Sequence, residues 1–132
     1  MDEEKSYIFQ VTDQVAEEAM EKNPGVDLEQ INFVLDDGRI FEVIHKSPTV
    51  DSFQRYLATC QDKDLKNAGE IGSLQYIKDC IVVPSYDQFY QIIKEEKLPA
   101  FTIHFANELA KGMGLTKGSE KKRLSRPKPS AQ

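Results

Sequence analysis

Two apolar, β-prone runs, Ile31-Asn32-Phe33-Val34-Leu35-Asp36 and Arg39-Ile40-Phe41-Glu42-Val43-Ile44, stand on either side of Asp37-Gly38. No other feature limits the fold as much. An Asp-Gly pair suits a two-residue type I′ turn, whose twist matches that of the strands it joins. The expected register sets Asp36 opposite Arg39, Leu35 opposite Ile40, Phe33 opposite Glu42 and Ile31 opposite Ile44. One face then carries Ile31, Phe33, Leu35, Ile40 and Ile44 and must meet a core. The other still holds Val34, Phe41 and Val43, so it too is expected to be partly covered. Two strands alone are marginal in water, which makes Tyr7 to Val11 a candidate third strand. Between them Thr12 or Asp13 can cap a short helix that Asn23-Pro24-Gly25 ends. That segment can equally be read as a helical insertion between two strands.

After Ser47-Pro48-Thr49 the apolar period lengthens. Val50, Phe53, Tyr56, Leu57 and Cys60 fall at helical spacing, with Ser47 or Thr49 as cap. Gln61-Asp62-Lys63-Asp64 interrupts the pattern. A second helix is expected through Ile71, Leu74, Ile77 and Ile81, ending before Pro84. Ser85 and Gln88 have capping-box spacing and open a helix that buries Phe89, Ile92 and Ile93 and closes at Leu98. Pro99 suits the first turn of a last helix, which presents Phe101, Ile103, Phe105, Ala106, Leu109, Ala110 and Met113 and stops near Gly112 or Gly114. The class is α+β: an N-terminal β-hairpin or small antiparallel sheet, then about four helices. One domain is expected over residues 1–115, followed by a disordered basic tail over 116–132.

Charge is distributed unevenly. From Lys117 onward six Lys or Arg stand against Glu120 alone, a surplus of five positive charges. The whole chain carries −5, which leaves −10 on residues 1–116. So acidic a body repels nucleic acid and anionic lipid surfaces, because phosphate binding depends on cation-rich faces. The tail is read first as a solvated end, next as a docking segment for an acidic protein surface. Nucleic-acid contact ranks last, since no aromatic residues interleave its charges. The acidic start Met1-Asp2-Glu3-Glu4 has no signal-peptide character, and no apolar run is long enough to span a bilayer. A cytoplasmic protein with reduced thiols at Cys60 and Cys80 is expected.

Motifs that carry chemistry are absent from the sequence. His45 and His104 have no metal-ligand partner at a recognised spacing, and Cys60 to Cys80 is not a zinc pattern. His104 and Glu108 lie one helical turn apart, a spacing helix surfaces use for stability. Asp36-Asp37 belongs to the turn, and Asp62-Lys63-Asp64 sets a cation between its acids, against a calcium loop. Gly69 and Gly72 lack the ending of a phosphate loop, and no Ser sits in a nucleophile elbow. No catalytic residue, metal or cofactor is expected. Aromatic residues crowd instead: Tyr86, Phe89, Tyr90, Phe101 and Phe105 lie in two successive helices. Phe89 and Phe101 read as core. Tyr90 and Phe105 can exceed what a one-sided core needs, leaving an apolar strip for a partner helix.

The second half also carries a family resemblance. Leu74-Gln75-Tyr76-Ile77-Lys78-Asp79-Cys80-Ile81-Val82-Val83-Pro84 ends a helix in a short apolar run and Pro. A compact helix, Leu98-Pro99, and a final helix with Ala106-Asn107-Glu108-Leu109 and a terminal Gly112 follow. This resembles the tail assembly chaperones of long-tailed bacteriophages, over about residues 50 to 115. The resemblance implies a non-enzymatic factor of the host cytoplasm that binds the tape-measure protein and keeps it soluble while tail-tube subunits assemble. It further implies self-association and a longer product made by frameshifting near the C-terminus. Tyr86, Tyr90, Phe101, Phe105 and Met113 are the expected protein-binding anchors. The competing expectation is a small regulatory protein that binds and inhibits one host enzyme.

Overall fold

The computed structural model describes residues 6–111 and 122–124, and among them five helices and five strands follow in the order β1 (Tyr7–Phe9), α1 (Asp13–Lys22), β2 (Leu28–Val34), β3 (Ile40–Lys46), α2 (Val50–Cys60), α3 (Ala68–Cys80), β4 (Ile81–Val83), α4 (Tyr86–Glu95), α5 (Pro99–Lys111) and β5 (Lys122–Leu124). The α+β class holds. The described residues fall into two compact units. The first runs to Lys46 and adds 82–84 and 122–124; the second comprises 47–81 and 85–111.

In the first unit β2 and β3 form the expected hairpin, but one residue out of the expected register. Phe33 lies opposite Phe41 and Ile31 opposite Val43. The turn explains the shift. Leu35 N–H donates to the Arg39 carbonyl (2.8 Å) and Gly38 N–H to the Leu35 carbonyl (2.8 Å), which closes a three-residue loop rather than a two-residue one. Gly38 takes the left-handed conformation such a loop requires (φ 89°). The Asp37 carboxylate accepts from the Arg39 backbone N–H at 3.0 Å and from its Nε at 2.7 Å, which holds the loop closed. A one-residue slip exchanges faces. Phe41 and Val43 therefore share the face of Ile31 and Phe33, and all four are buried. Ile44 joins Leu28 on the reverse face instead.

The helix inserted after β1 explains how that reverse face is covered. Thr12 caps α1, its hydroxyl accepting from Val15 N–H. Ala16, Ala19 and Met20 of α1 pack with Val11, Leu28 and Ile44. Glu42 accepts the Val11 N–H at 2.8 Å and ties the chain entering α1 to β3. β1 runs parallel to β3, β4 also pairs with β3, and β5 pairs antiparallel with β2, so the sheet is mixed. β5 lies within the tail expected to be disordered; the rest of 116–132 lies outside the described residues.

The second unit is helical. Thr49, one of the two expected caps, accepts from Ser52 N–H and starts α2. α3 stops at Cys80, so Ile81-Val82-Val83 is a strand and not the helix end the period suggested. Its buried residues are Gly72, Ser73, Tyr76, Ile77 and Cys80 rather than a stripe through Ile71 and Leu74. The cause is close packing on α2. A Cβ on Gly72 would lie 2.7 Å from Cys60 Sγ and 3.3 Å from the Tyr56 carbonyl oxygen, so only glycine lets the helices approach this far. Tyr56 and Tyr76 stack in the same seam with centroids 4.5 Å apart. In α4, Ser85 accepts the Gln88 N–H as expected, and Phe89 and Ile93 are buried. Ile92 is only half-buried. Lys97 ends α4 in left-handed backbone (φ 54°), with Leu98 N–H bonded to the Ile93 carbonyl and Lys97 N–H to that of Lys94. That pair of bonds is a Schellman stop, here without the usual glycine.

Candidate functional site

The aromatic residues expected to anchor a partner divide into two groups. Phe105 is fully buried and Phe101 nearly so. Both lie within a cluster around Phe89, with ring centroids 5.7 and 6.3 Å from it. This corrects their assignment as anchors. A helix in a packed bundle presents successive large residues to its neighbours, and α5 buries Phe101, Thr102, Phe105, Ala106, Glu108 and Leu109 together. Surface chemistry is therefore left to Tyr86 and Tyr90. Met113 lies outside the described residues.

Tyr86 and Tyr90 sit one turn apart on α4 and stack at 6.3 Å, with ring planes inclined by 23°. Lys78 of α3 places its amino group 5.6 Å from the centre of the Tyr86 ring, and Lys94 lies 5.7 Å from that of Tyr90. Cation–π contacts of this kind, worth about 0.5–1 kcal/mol at exposed positions, hold the rings in place. Partial burial, then the neighbouring Tyr90 and Asp87, push the Tyr86 phenol above its ordinary value. Tyr90 remains 44 % exposed.

Tyr90 forms one wall of a groove of about 320 Å³ in the second unit. Leu74 of α3, Ile93 of α4 and Pro99 and Thr102 of α5 line it, with Glu70, Lys94 and Lys97 as charged members. Its volume is at the low end of the ~300–1,000 Å³ typical of ligand clefts. That is room for a few apolar side chains. Ile103, next to Thr102 on α5, is 46 % exposed. The period of α4 carried the signal for part of this surface, because Tyr86, Tyr90 and Lys94 recur every four residues. Leu74, Pro99 and Lys97 had no such signal, since their convergence depends on three helices meeting.

A second concentration of reactive side chains packs into the α2–α3 seam, with Tyr76 and Cys80 buried and Tyr56 and Cys60 half-buried. Burial raises the Cys60 thiol, with the Tyr56 hydroxyl acting in the opposite sense, and burial followed by Cys60 raises the Tyr56 phenol. Tyr76 is raised most, by burial and then by Cys80 and Tyr56. Its hydroxyl has no hydrogen-bond partner among the described residues. All these shifts favour the neutral, unreactive forms. His45 is buried, its Nδ1–H donating to the Lys46 carbonyl at 2.8 Å. Glu108 pairs with Lys111 at 2.7 Å. Among the described residues no group of three or more His, Cys, Asp or Glu is placed to hold a metal ion. None of the described helices is long and apolar enough to cross a membrane.

No family model and no curated protein matches the chain. Among solved structures it is similar to an uncharacterised protein of Bacillus stearothermophilus, rbstp2171, with a TM-score of 0.58 and 18 % identity. The match covers 79 % of this chain and 96 % of that one. At that identity the likeness shows a shared fold and nothing further.

Proposed function

We propose that the chain is a non-enzymatic protein-binding module whose docking surface is the groove between α3, α4 and α5. The observation that carries this reading is the exposed, apolar-lined groove walled by Tyr90, beside its stacked partner Tyr86. Aromatic residues fixed by packing make effective anchors, because little side-chain freedom remains to be lost on binding. The acidic body, −10 over residues 1–116 of a chain that is −5 overall, keeps a complex with an apolar client dispersed. On the resemblance over about residues 50 to 115, the client is the tape-measure protein of a long-tailed bacteriophage, held soluble in the host cytoplasm during tail assembly. Masking is then the whole mechanism: apolar strips of a helical client lie in the groove until tube subunits replace the chaperone.

Affinity capture with mass spectrometry tests this, comparing the full chain with its Tyr90→Ser variant where the protein is naturally made. A long, helix-rich tail protein recovered by the wild type and lost by the variant is the expected result. One compact host enzyme recovered in its place replaces the chaperone with the inhibitor. Equal recovery by both chains removes the groove from the account.

A further inference from the structure

The groove of the second unit has a charge pattern that its apolar floor does not explain. Its cations, Lys94 and Lys97, come from the last turn of α4 and the stop that follows, and its acid, Glu70, comes from α3. Lys78 adds a third cation beside the groove, over the ring of Tyr86. All three lysines are exposed, and neither they nor Glu70 forms an ion pair among the described residues. Lys97 stands in left-handed backbone (φ 54°), where a helix stop is better served by glycine. Residues 1–116 carry −10. Around the groove and Tyr86 the sign is reversed, with three cations against Glu70 and Asp87.

We propose, on the reading that this groove is the docking surface, that its occupant is a helical segment of a partner protein whose apolar residues are flanked by carboxylates, and that Lys94 and Lys97 select it against a segment flanked by cations. Leu74, Ile93 and Pro99 receive the apolar side chains, which supply most of the affinity. Exposed charges each add little affinity but decide between partners, because like charges brought together are penalised while unlike ones are favoured. Stacked tyrosines beside lysines are also a feature of single-stranded nucleic-acid sites. Here the charges favour protein. A phosphate at every nucleotide meets Glu70, Asp87 and the acidic body, whereas a helix can turn its carboxylates to the α4 wall alone.

Two designed amphipathic helices, identical in their leucines and with either Glu or Lys beside them, test this on the isotope-labelled full chain. The Glu peptide is expected to shift the resonances of Leu74, Tyr90, Ile93 and Thr102 and to bind at least roughly tenfold more tightly than the Lys peptide, a preference that narrows as salt is raised. Lys94→Glu with Lys97→Glu should reverse the preference. Lys94→Gln with Lys97→Asn, an asparagine being at ease in left-handed backbone, should abolish it and serves if the reversed chain does not fold. Lys63→Gln, outside the groove, should leave it intact. Groove resonances that shift equally with both peptides overturn the charge selection while the docking surface stands. Peptides that shift none of them remove the docking surface and this proposal with it. An oligothymidylate that displaces the Glu peptide overturns the proposal in favour of nucleic acid.

Discussion

The two units solve the same packing problem with different materials. The first closes its sheet with large apolar residues that alternate along two strands, Ile31 and Phe33 facing Phe41 and Val43. The second brings α2 and α3 together through a glycine, a serine and a pair of stacked tyrosines. In the sheet the side chains set the fold and one loop residue sets the register. In the helical seam a missing side chain sets the distance. The sheet should therefore tolerate changes of size better than the seam does. The same contrast separates the two aromatic groups of the second unit, one internal and one external.

Removing the internal group has the largest expected effect. Phe105→Ala should cost about 3–5 kcal/mol, the range for large-to-small changes at buried aromatics. Tyr90→Ser, on the exposed group, should stay within about 0.5–1 kcal/mol, because half-exposed positions lose little packing. Urea unfolding of both variants measures the gap. Similar losses from both would merge the groups and make Tyr90 part of the core.

Next comes the seam. Gly72→Ala should destabilise by about 1–3 kcal/mol through overpacking, although alanine is the better helix former by about 1 kcal/mol. Adding Cys60→Ala removes the sulfur 2.7 Å from the new methyl group and should recover most of the loss. A Gly72→Ala chain as stable as the wild type would mean that the helices can separate freely.

The seam should also respond to alkali. Tyr56, Tyr76 and Cys60 have folded-state values raised above the ordinary 10.0, 10.0 and 9.0. For an acid raised in this way the folded chain holds its proton longer than the unfolded one. Its contribution to stability is complete below the ordinary value and declines as pH rises past it. Thermal unfolding measured from pH 8 to 11 should show the decline beginning near the thiol value. Tyr76→Phe should flatten it. At neutral pH that variant should be as stable as the wild type, or up to about 1 kcal/mol more stable, because the hydroxyl it removes has no partner among the described residues. A large loss would reveal a partner for that hydroxyl.

The smallest effect belongs to the hairpin loop. Hydrogen bonding from the Arg39 backbone, and then from its side chain, lowers the Asp37 carboxyl below 3.8. A lowered acid contributes above its ordinary value and loses that contribution as pH falls through the folded one. Asp37→Ala should speed amide exchange at Arg39 while leaving the melting temperature nearly unchanged. An exchange rate that does not move would show that Gly38 alone fixes the register.

These contrasts also define what the sequence revealed. Large residues at regular spacing placed the helices, and Asp37-Gly38 placed the hairpin within one residue of its register. The slip went unseen because a two-residue and a three-residue loop both accept Asp-Gly; the backbone bonds between Leu35 and Arg39 and between Gly38 and Leu35 distinguish them. The seam went unseen because hydrophobic periodicity scores Ile71 and Leu74 and passes over Gly72 and Ser73. β4 was hidden at the end of an apolar helical run, and β5 within a charged tail. For the site, Tyr86 and Tyr90 could be found from spacing, whereas Phe105 could not be separated from them, since burial is decided by which helix faces which neighbour.

The central claim is that the groove between α3, α4 and α5 binds a helical client, and its most direct test is affinity. Once captured, the client segment should be titrated against the wild type, Tyr90→Ser and Ile103→Ser, with melting temperatures recorded in parallel. The account predicts a loss of at least roughly tenfold, about 1.4 kcal/mol, for Tyr90→Ser, little change for Ile103→Ser, which does not line the groove, and no more than a small drop in melting temperature for either. Full affinity retained by a folded Tyr90→Ser chain would contradict it.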